Sequence, residues 1–313
     1  MKRYPNLDIL RLVLALEVVY IHWCDSFGMR PVFLLDPVPT FVCLSGLLIP
    51  QSFESSRSWG HFAWKRILRV YPAFAVSFAL VAVLAGPGAL WPTLLTYCTL
   101  GFITGTLANG PLWSLFLEEI LYTSHVLSRL KKLWTAEVVF LAFAALFVAY
   151  VAFAPGSAIE GWRGNRLDAI FRTSMAFLAG NLAFFNLPKW EKVNGWWFVL
   201  VLAASFALRG HAPFVLTTQL SCVSAVMAAR NLPQVKWEFA DLSYGVYIYH
   251  MPILHALAGF GLAVAGFATP VLTLAFAWLS WTFVESKALK AKNRLPQWPR
   301  RVRGEAVLES VSV

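Results

Sequence analysis

Apolar residues run along this chain in long blocks, broken by short polar or Pro- and Gly-rich links. Blocks of this length match helices that cross a bilayer. Ten can be marked, at about 7–24, 38–50, 66–85, 111–128, 135–153, 167–186, 195–208, 213–229, 240–258 and 268–284. Pro31, Pro37 and Pro39 interrupt the link after the first block. The polar stretch Gln51–Lys65 precedes the third, and Gly86-Pro87-Gly88 closes it. Leu90–Gly110 is apolar but interleaved with Thr, Gly and Pro. It predicts a re-entrant or interfacial segment between the third and fourth helices, which is tolerable only where protein surrounds it. The predicted fold is all-α, a polytopic membrane helix bundle with about ten transmembrane helices. One transmembrane domain is expected over 1–290, followed by a disordered basic cytoplasmic tail over 291–313.

Composition supports the membrane reading. Hydrophobic residues make up 58% of the chain and charged residues 13%, against about 25% charged in a soluble domain. Fourteen Trp and nine Tyr suit interfacial belts. The net charge of +10 is no sign of nucleic acid, because the basic residues lie in short links and a tail beside apolar blocks. There they report orientation. With both termini cytoplasmic, twenty of the 26 Lys and Arg residues fall on the inner side and four on the outer. An odd number of spans would put the basic tail outside. Met1-Lys2-Arg3 is like the start of a signal peptide, but the apolar run is too long and no cleavage site follows, so a retained first helix is expected. Cys24, Cys43, Cys98 and Cys222 are scattered and suggest neither a metal site nor a disulfide framework.

Four polar clusters interrupt the apolar blocks. Leu7–Trp23 (LDILRLVLALEVVYIHW) holds Asp8, Arg11, Glu17 and His22. A charge at bilayer depth costs about 3 kcal/mol, so these residues are functional candidates. Arg11 and His22 are eleven apart, which on a helix is three turns plus about 20° and a rise of about 16 Å. They share one face, like two stations along one path. His22 is suited to general base work, taking the proton of an acceptor hydroxyl as its oxygen attacks an acyl carbonyl. Glu17 lies about 240° around from Arg11 and is expected to be a neutral or hydrogen-bonded carboxyl against a neighbouring helix. Asp8 suits the positive end of the first helix.

The second cluster is Lys65, Arg66 and Arg69, within His61–Pro72. It reads either as an orientation signal that meets anionic lipid headgroups or as a clamp for a phosphorylated donor. The third is Leu112–Tyr122, where Glu118 and Tyr122 share a face and predict a buried polar network reaching the first helix. The fourth is Asp241–Pro252, where Pro252 opens the backbone beside Tyr247 and His250. Glu285, next to Lys287, reads as a surface ion pair.

These stretches together resemble the acyltransferase-3 family of bacterial membrane acyltransferases. The family's first helix carries an Arg and a His with ten residues between them, as Arg11 and His22 do here. Leu44-Ser45-Gly46-Leu47-Leu48-Ile49 is similar to its second-helix signature, with Leu47 in place of Phe. Lys65-Arg66-Ile-Leu-Arg69-Val-Tyr71-Pro72 resembles its basic third-helix entry, with Lys65 in place of Arg. Leu112-Trp113-Ser114-Leu115 through Glu118 and Tyr122 resembles its Trp-Ser-Leu motif. Ser243–Pro252 resembles its late Tyr-His-Pro segment, and Val284-Glu285 its last-helix Glu. The resemblance implies a bacterial inner-membrane enzyme that moves an acyl group, usually acetyl, from cytoplasmic acyl-CoA to a hydroxyl of a sugar, polysaccharide or glycolipid. His22, Arg11 and Glu118 would be catalytic, and Lys65, Arg66 and Arg69 would hold the donor. Ser45, Trp113, Ser114, Tyr122, Tyr247 and His250 would form a substrate or structural network. Membrane lipids, acyl-CoA and the carbohydrate acceptor are the expected partners. No permanently bound cofactor and no metal are expected. Two other readings stay open: a transporter or flippase of an acyl- or lipid-linked substrate, and an acyl-enzyme route through Cys24.

Overall fold

The computed structural model describes residues 3–32, 34–86, 88, 90–99, 109–153, 166–209, 211–236 and 240–291. These residues form helices and links, with no strand among them beyond one isolated bridge between Arg209 and Ala212. In chain order the helices are α1 (Pro5–Ser26), α2 (Pro37–Glu54), α3 (Trp59–Ala85) and α4 (Leu90–Cys98). Next come α5 (Leu112–Leu130), α6 (Ala136–Phe153), α7 (Arg166–Trp190) and α8 (Gly195–Ala207). The last are α9 (Phe214–Asn231), α10 (Ser243–Leu257), α11 (Leu262–Ser280) and α12 (Ser286–Lys290). The ten marked blocks each overlap a helix, of which α8 is short at 13 residues. Three helical stretches, Trp59–Leu84, Ala136–Phe153 and Leu262–Lys290, are long and apolar enough to cross a membrane.

The largest boundary difference from the sequence reading is at the start of α3. α3 begins at Trp59 rather than near residue 66, because Ser58 caps it by accepting from the His61 N–H at 3.1 Å. Lys65, Arg66 and Arg69 therefore lie inside the helix and not at its entry. α3 ends where expected, at Gly86, whose φ of +76° suits glycine. In the Leu90–Gly110 interval, residues 90–98 are α4 and Asn109 is buried, while 100–108 lie outside the described residues. Most of the expected tail, 292–313, also lies outside them.

Among the described helices, α2 and α7 pack most closely. A Cβ at Gly46 would sit 2.1 Å from the carbonyl oxygen of Phe177, and one at Gly180 would sit 2.1 Å from that of Cys43. Each glycine lets the opposite backbone approach, the usual route to tight helix pairs in a bilayer. α1 packs against α2, α9, α10 and α11, so it is central.

Pro252 has no N–H for the Ile248 carbonyl one turn back. Ser77 Oγ and Asn109 Nδ2 donate to that oxygen instead, at 3.2 and 3.0 Å. The opened turn thereby ties α10 to α3 and to the chain before α5. At the end of α11 a π-helical turn, Trp281–Glu285, leads into α12. It carries Glu285 inward, 3% exposed, to accept from Ser280 Oγ at 2.9 Å. The expected surface ion pair with Lys287 is therefore not formed. Lys287 lies over the Phe283 ring.

Candidate functional site

A cavity of about 120 Å³ opens between α1, α2, α3, α5 and α10. Arg11, Ser45, Arg66, Arg69, Ser114, Glu118, Tyr122 and Tyr247 line it, so eight residues singled out from five separate stretches meet there. Tyr244 and Ser243 complete its polar wall, and Val38, Phe41, Val42, Val70 and Leu115 its apolar one.

The cations enter on two helices. Arg66 and Arg69 are three residues apart on α3 and face the same space as Arg11 on α1. Arg69 pairs tightly with Asp241, and Arg11 lies 3.7 Å from the same carboxylate and 3.1 Å from Asp8. Ser243 Oγ donates to the other oxygen of Asp241 at 2.6 Å. Asp241 precedes α10, in the link before it. Burial alone would raise its carboxyl, but Arg69, Arg11 and the Ser243 and Arg69 hydrogen bonds outweigh that and hold it well below the usual carboxylate range.

Arg66 is placed differently. Its Nη2 reaches Ser52 Oγ at 3.5 Å, and its buried Nε has no hydrogen-bond partner. The buried Tyr244 hydroxyl has none either. A buried orphan donor costs about 1–3 kcal/mol, so both groups would gain from an acceptor oxygen placed in the cavity. Lys65 turns away from the cavity to the Ser52 carbonyl.

On the facing side, Tyr122 OH donates to Ser45 Oγ at 3.0 Å, and Ser45 Oγ donates to Glu118 Oε1 at 3.3 Å. Gly46 seats α2 on α7, which fixes the position of its neighbour Ser45 opposite α5. Ser114 Oγ and Tyr247 OH are 2.6 Å apart, and Tyr247 OH donates to the Pro111 carbonyl at 3.0 Å. Trp113 is half-buried and is not part of the lining. A groove between α3 and α5, walled by Phe62, Ile67, Tyr71 and Leu127, meets the cavity at Arg66 and Tyr122.

His22 is not in the cavity wall. It stands beyond Tyr247, against His250, with ring centroids 5.0 Å apart. His22 Nδ1 is 3.0 Å from His250 Nε2 and 3.0 Å from the Val18 carbonyl oxygen. His250 Nδ1 donates to the Tyr247 carbonyl at 2.8 Å. Tyr247 thus presents its ring to the cavity and its backbone to the histidine pair. The face shared by Arg11 and His22 points into the bundle, with Arg11 at the cavity and His22 at the pair.

Three polar residues of the quoted motifs take places that sequence does not reveal. Asp241 is the counter-charge of the arginines, and Tyr244 supplies an unsatisfied hydroxyl. Both stand in the Asp241–Pro252 run, where an acid just before an apolar helix was the available signal. Glu17 accepts from the backbone N–H groups of Leu34 and Leu35, at 2.6 and 3.2 Å, so it pins the link after α1 and not a neighbouring helix. Cys24 is buried and, like the other three cysteines, unpaired in any disulfide. No group of three or more metal-ligating side chains occurs among the described residues.

Comparison with known proteins adds a second kind of observation. A family model described as an acyltransferase domain, that of the acyltransferase-3 family, matches residues 4–285. Nodulation protein 10 of Rhizobium leguminosarum bv. viciae is 27% identical, covering 93% of this chain and 94% of its own length. An O-acetyl transferase of Shigella phage Sf6 is 25% identical, covering 90% of this chain and 95% of its own. No solved structure matches significantly.

Proposed function

The chain belongs to the acyltransferase-3 family, and from that premise we propose that it moves an acyl group, acetyl in the resemblance, from cytoplasmic acyl-CoA to a hydroxyl of a sugar, polysaccharide or glycolipid. The O-acetyl transferase of the phage, similar over nearly the full length of both chains, supports oxygen as the atom acylated. The observation that carries the donor assignment is the cavity that gathers Arg11, Arg66 and Arg69 around an unsatisfied Arg66 Nε and Tyr244 hydroxyl. Guanidinium donors in that setting suit phosphate oxygens.

In this reading the donor's phosphates rest at Arg66 and Arg69, and the pantetheine arm runs past Arg11 and Tyr247. The thioester then meets the acceptor at His22. The imidazole takes the hydroxyl proton as the oxygen attacks the thioester carbonyl. The C–S bond breaks as the tetrahedral intermediate collapses, and the departing thiolate recovers the proton from the imidazolium. Glu118, held by Ser45, shapes the cavity wall opposite the arginines. The bundle crosses the bacterial inner membrane with both termini cytoplasmic, as the distribution of Lys and Arg favours. That places Arg66 and Arg69 toward the acyl-CoA pool and His22 toward the outer face.

Binding of acetyl-CoA to the purified protein in detergent tests the donor site. Arg66→Ala is expected to weaken it by about 10- to 100-fold, the loss of one charge-assisted contact of about 1.5–3 kcal/mol. Equal affinity in wild type and variant would remove Arg66 from the site. The acceptor is found by mass spectrometry of cell-envelope glycans from a deletion strain, where acetylated species should disappear.

A further inference from the structure

The hydrogen bonds around the two imidazoles fix which nitrogen of each carries its proton. A carbonyl oxygen only accepts, so His250 Nδ1, at 2.8 Å from the Tyr247 carbonyl, must be the N–H. His250 is fully buried. A second proton there would place a charge in the interior, at a cost of several kcal/mol. Its Nε2 is then a lone pair, and that lone pair faces His22 Nδ1 at 3.0 Å. His22 Nδ1 also faces the Val18 carbonyl at 3.0 Å. Both neighbours accept, so Nδ1 carries the hydrogen, shared between them. The lone pair of His22 is left on Nε2.

From this chain we infer that His250 is a positioning residue for the reaction: together with the Val18 carbonyl it holds His22 in the tautomer whose Nε2 is the base, and it receives the share of the Nδ1–H bond that strengthens when His22 becomes an imidazolium. The inference rests on the proposed role of His22 as general base. The logic is that of the buried acid behind the histidine of a serine-hydrolase triad, with a neutral imidazole as the orienting acceptor. The proton taken from the acceptor hydroxyl arrives at His22 Nε2, and the same atom returns it to the leaving thiolate. His250 gains and loses no proton. The Tyr247 carbonyl is the anchor of the chain, and the Tyr247 ring lines the donor cavity. One turn of α10, from Tyr247 to His250, therefore touches both the donor cavity and the base on α1.

Nitrogen NMR of histidine-labelled full-length protein in lipid, with the His22 signals assigned through His22→Ala, reads the tautomer directly. The expected result is a protonated Nδ1 and an unprotonated Nε2 on His22 in the wild type. In His250→Leu the preference should weaken, and kcat for transfer from acetyl-CoA should fall by about 10- to 100-fold with KM for acetyl-CoA unchanged. His250→Gln, whose side-chain oxygen accepts in place of Nε2, should recover most of the rate. A wild-type His22 with its proton on Nε2, or a His250→Leu enzyme of unchanged kcat, would overturn the inference. His22→Ala separates the two claims. If it abolishes transfer while His250→Leu is silent, only the role of His250 falls. If it transfers at the wild-type rate, the base assignment falls and this inference falls with it.

Discussion

Replacing Asp241 by Asn removes the carboxylate that Arg69 and Arg11 share. Breaking a partly buried pair at one partner leaves a charge less well compensated, and the expected loss is about 1–3 kcal/mol of stability. Thermal unfolding in detergent reads it as a lowered midpoint, and an unchanged midpoint would mean that solvent already screens these arginines. Arg66 behaves otherwise, because its Nε has no partner to lose. Arg66→Lys keeps the charge but not the planar fork. Its affinity for acetyl-CoA should fall between those of wild type and Arg66→Ala, and a Lys variant equal to wild type would make the site a simple charge. At this scale the sequence was informative where periodicity alone sets geometry. The common face of Arg11 and His22 follows from their spacing. The partner of His22 does not, since His250 is 228 residues away and no local pattern links the two. Glu285 was misread for a similar reason, because a π-helical turn alters the phase at which its side chain leaves the helix.

Among the elements, the α2–α7 contact decides where Ser45 stands. Gly46→Ala would force a Cβ against the Phe177 carbonyl, and backbone cannot yield as a flexible side chain can. A destabilisation of about 1–3 kcal/mol is expected, together with reduced acyl transfer as Ser45 moves off Glu118. Melting and activity measured on the same preparation check this, and a variant as stable as wild type would show that the helices can separate freely. Helix existence was legible from block length and from Pro and Gly breaks. Helix ends were less so. α3 starts a full two turns before its apolar block, because Ser58 caps it and the polar turns that follow face Ser52 and the cavity. Pro252 marked an opened turn correctly, but the donors that fill it, Ser77 and Asn109, come from distant stretches.

Among the described residues, polar clusters are set within an otherwise apolar bundle. α3, α6 and the α11–α12 stretch are apolar enough to be recognised as spans on their own. Helices such as α1, α2 and α9 carry polar residues inward, toward the cavity or buried networks such as Thr40 with Cys222. The proposed topology is checked by reporter fusions. Reporters active only in the cytoplasm should work at both termini, and a reporter placed in the link after α1 should work only outside the cytoplasm. An active cytoplasmic reporter in that link would invert the arrangement. The most direct test of the whole account is transfer of labelled acetyl from acetyl-CoA into envelope glycans by membrane vesicles carrying wild type or His22→Ala. The account predicts that the variant binds acetyl-CoA as wild type does and transfers at least about 100-fold more slowly. Transfer at the wild-type rate by His22→Ala would contradict it.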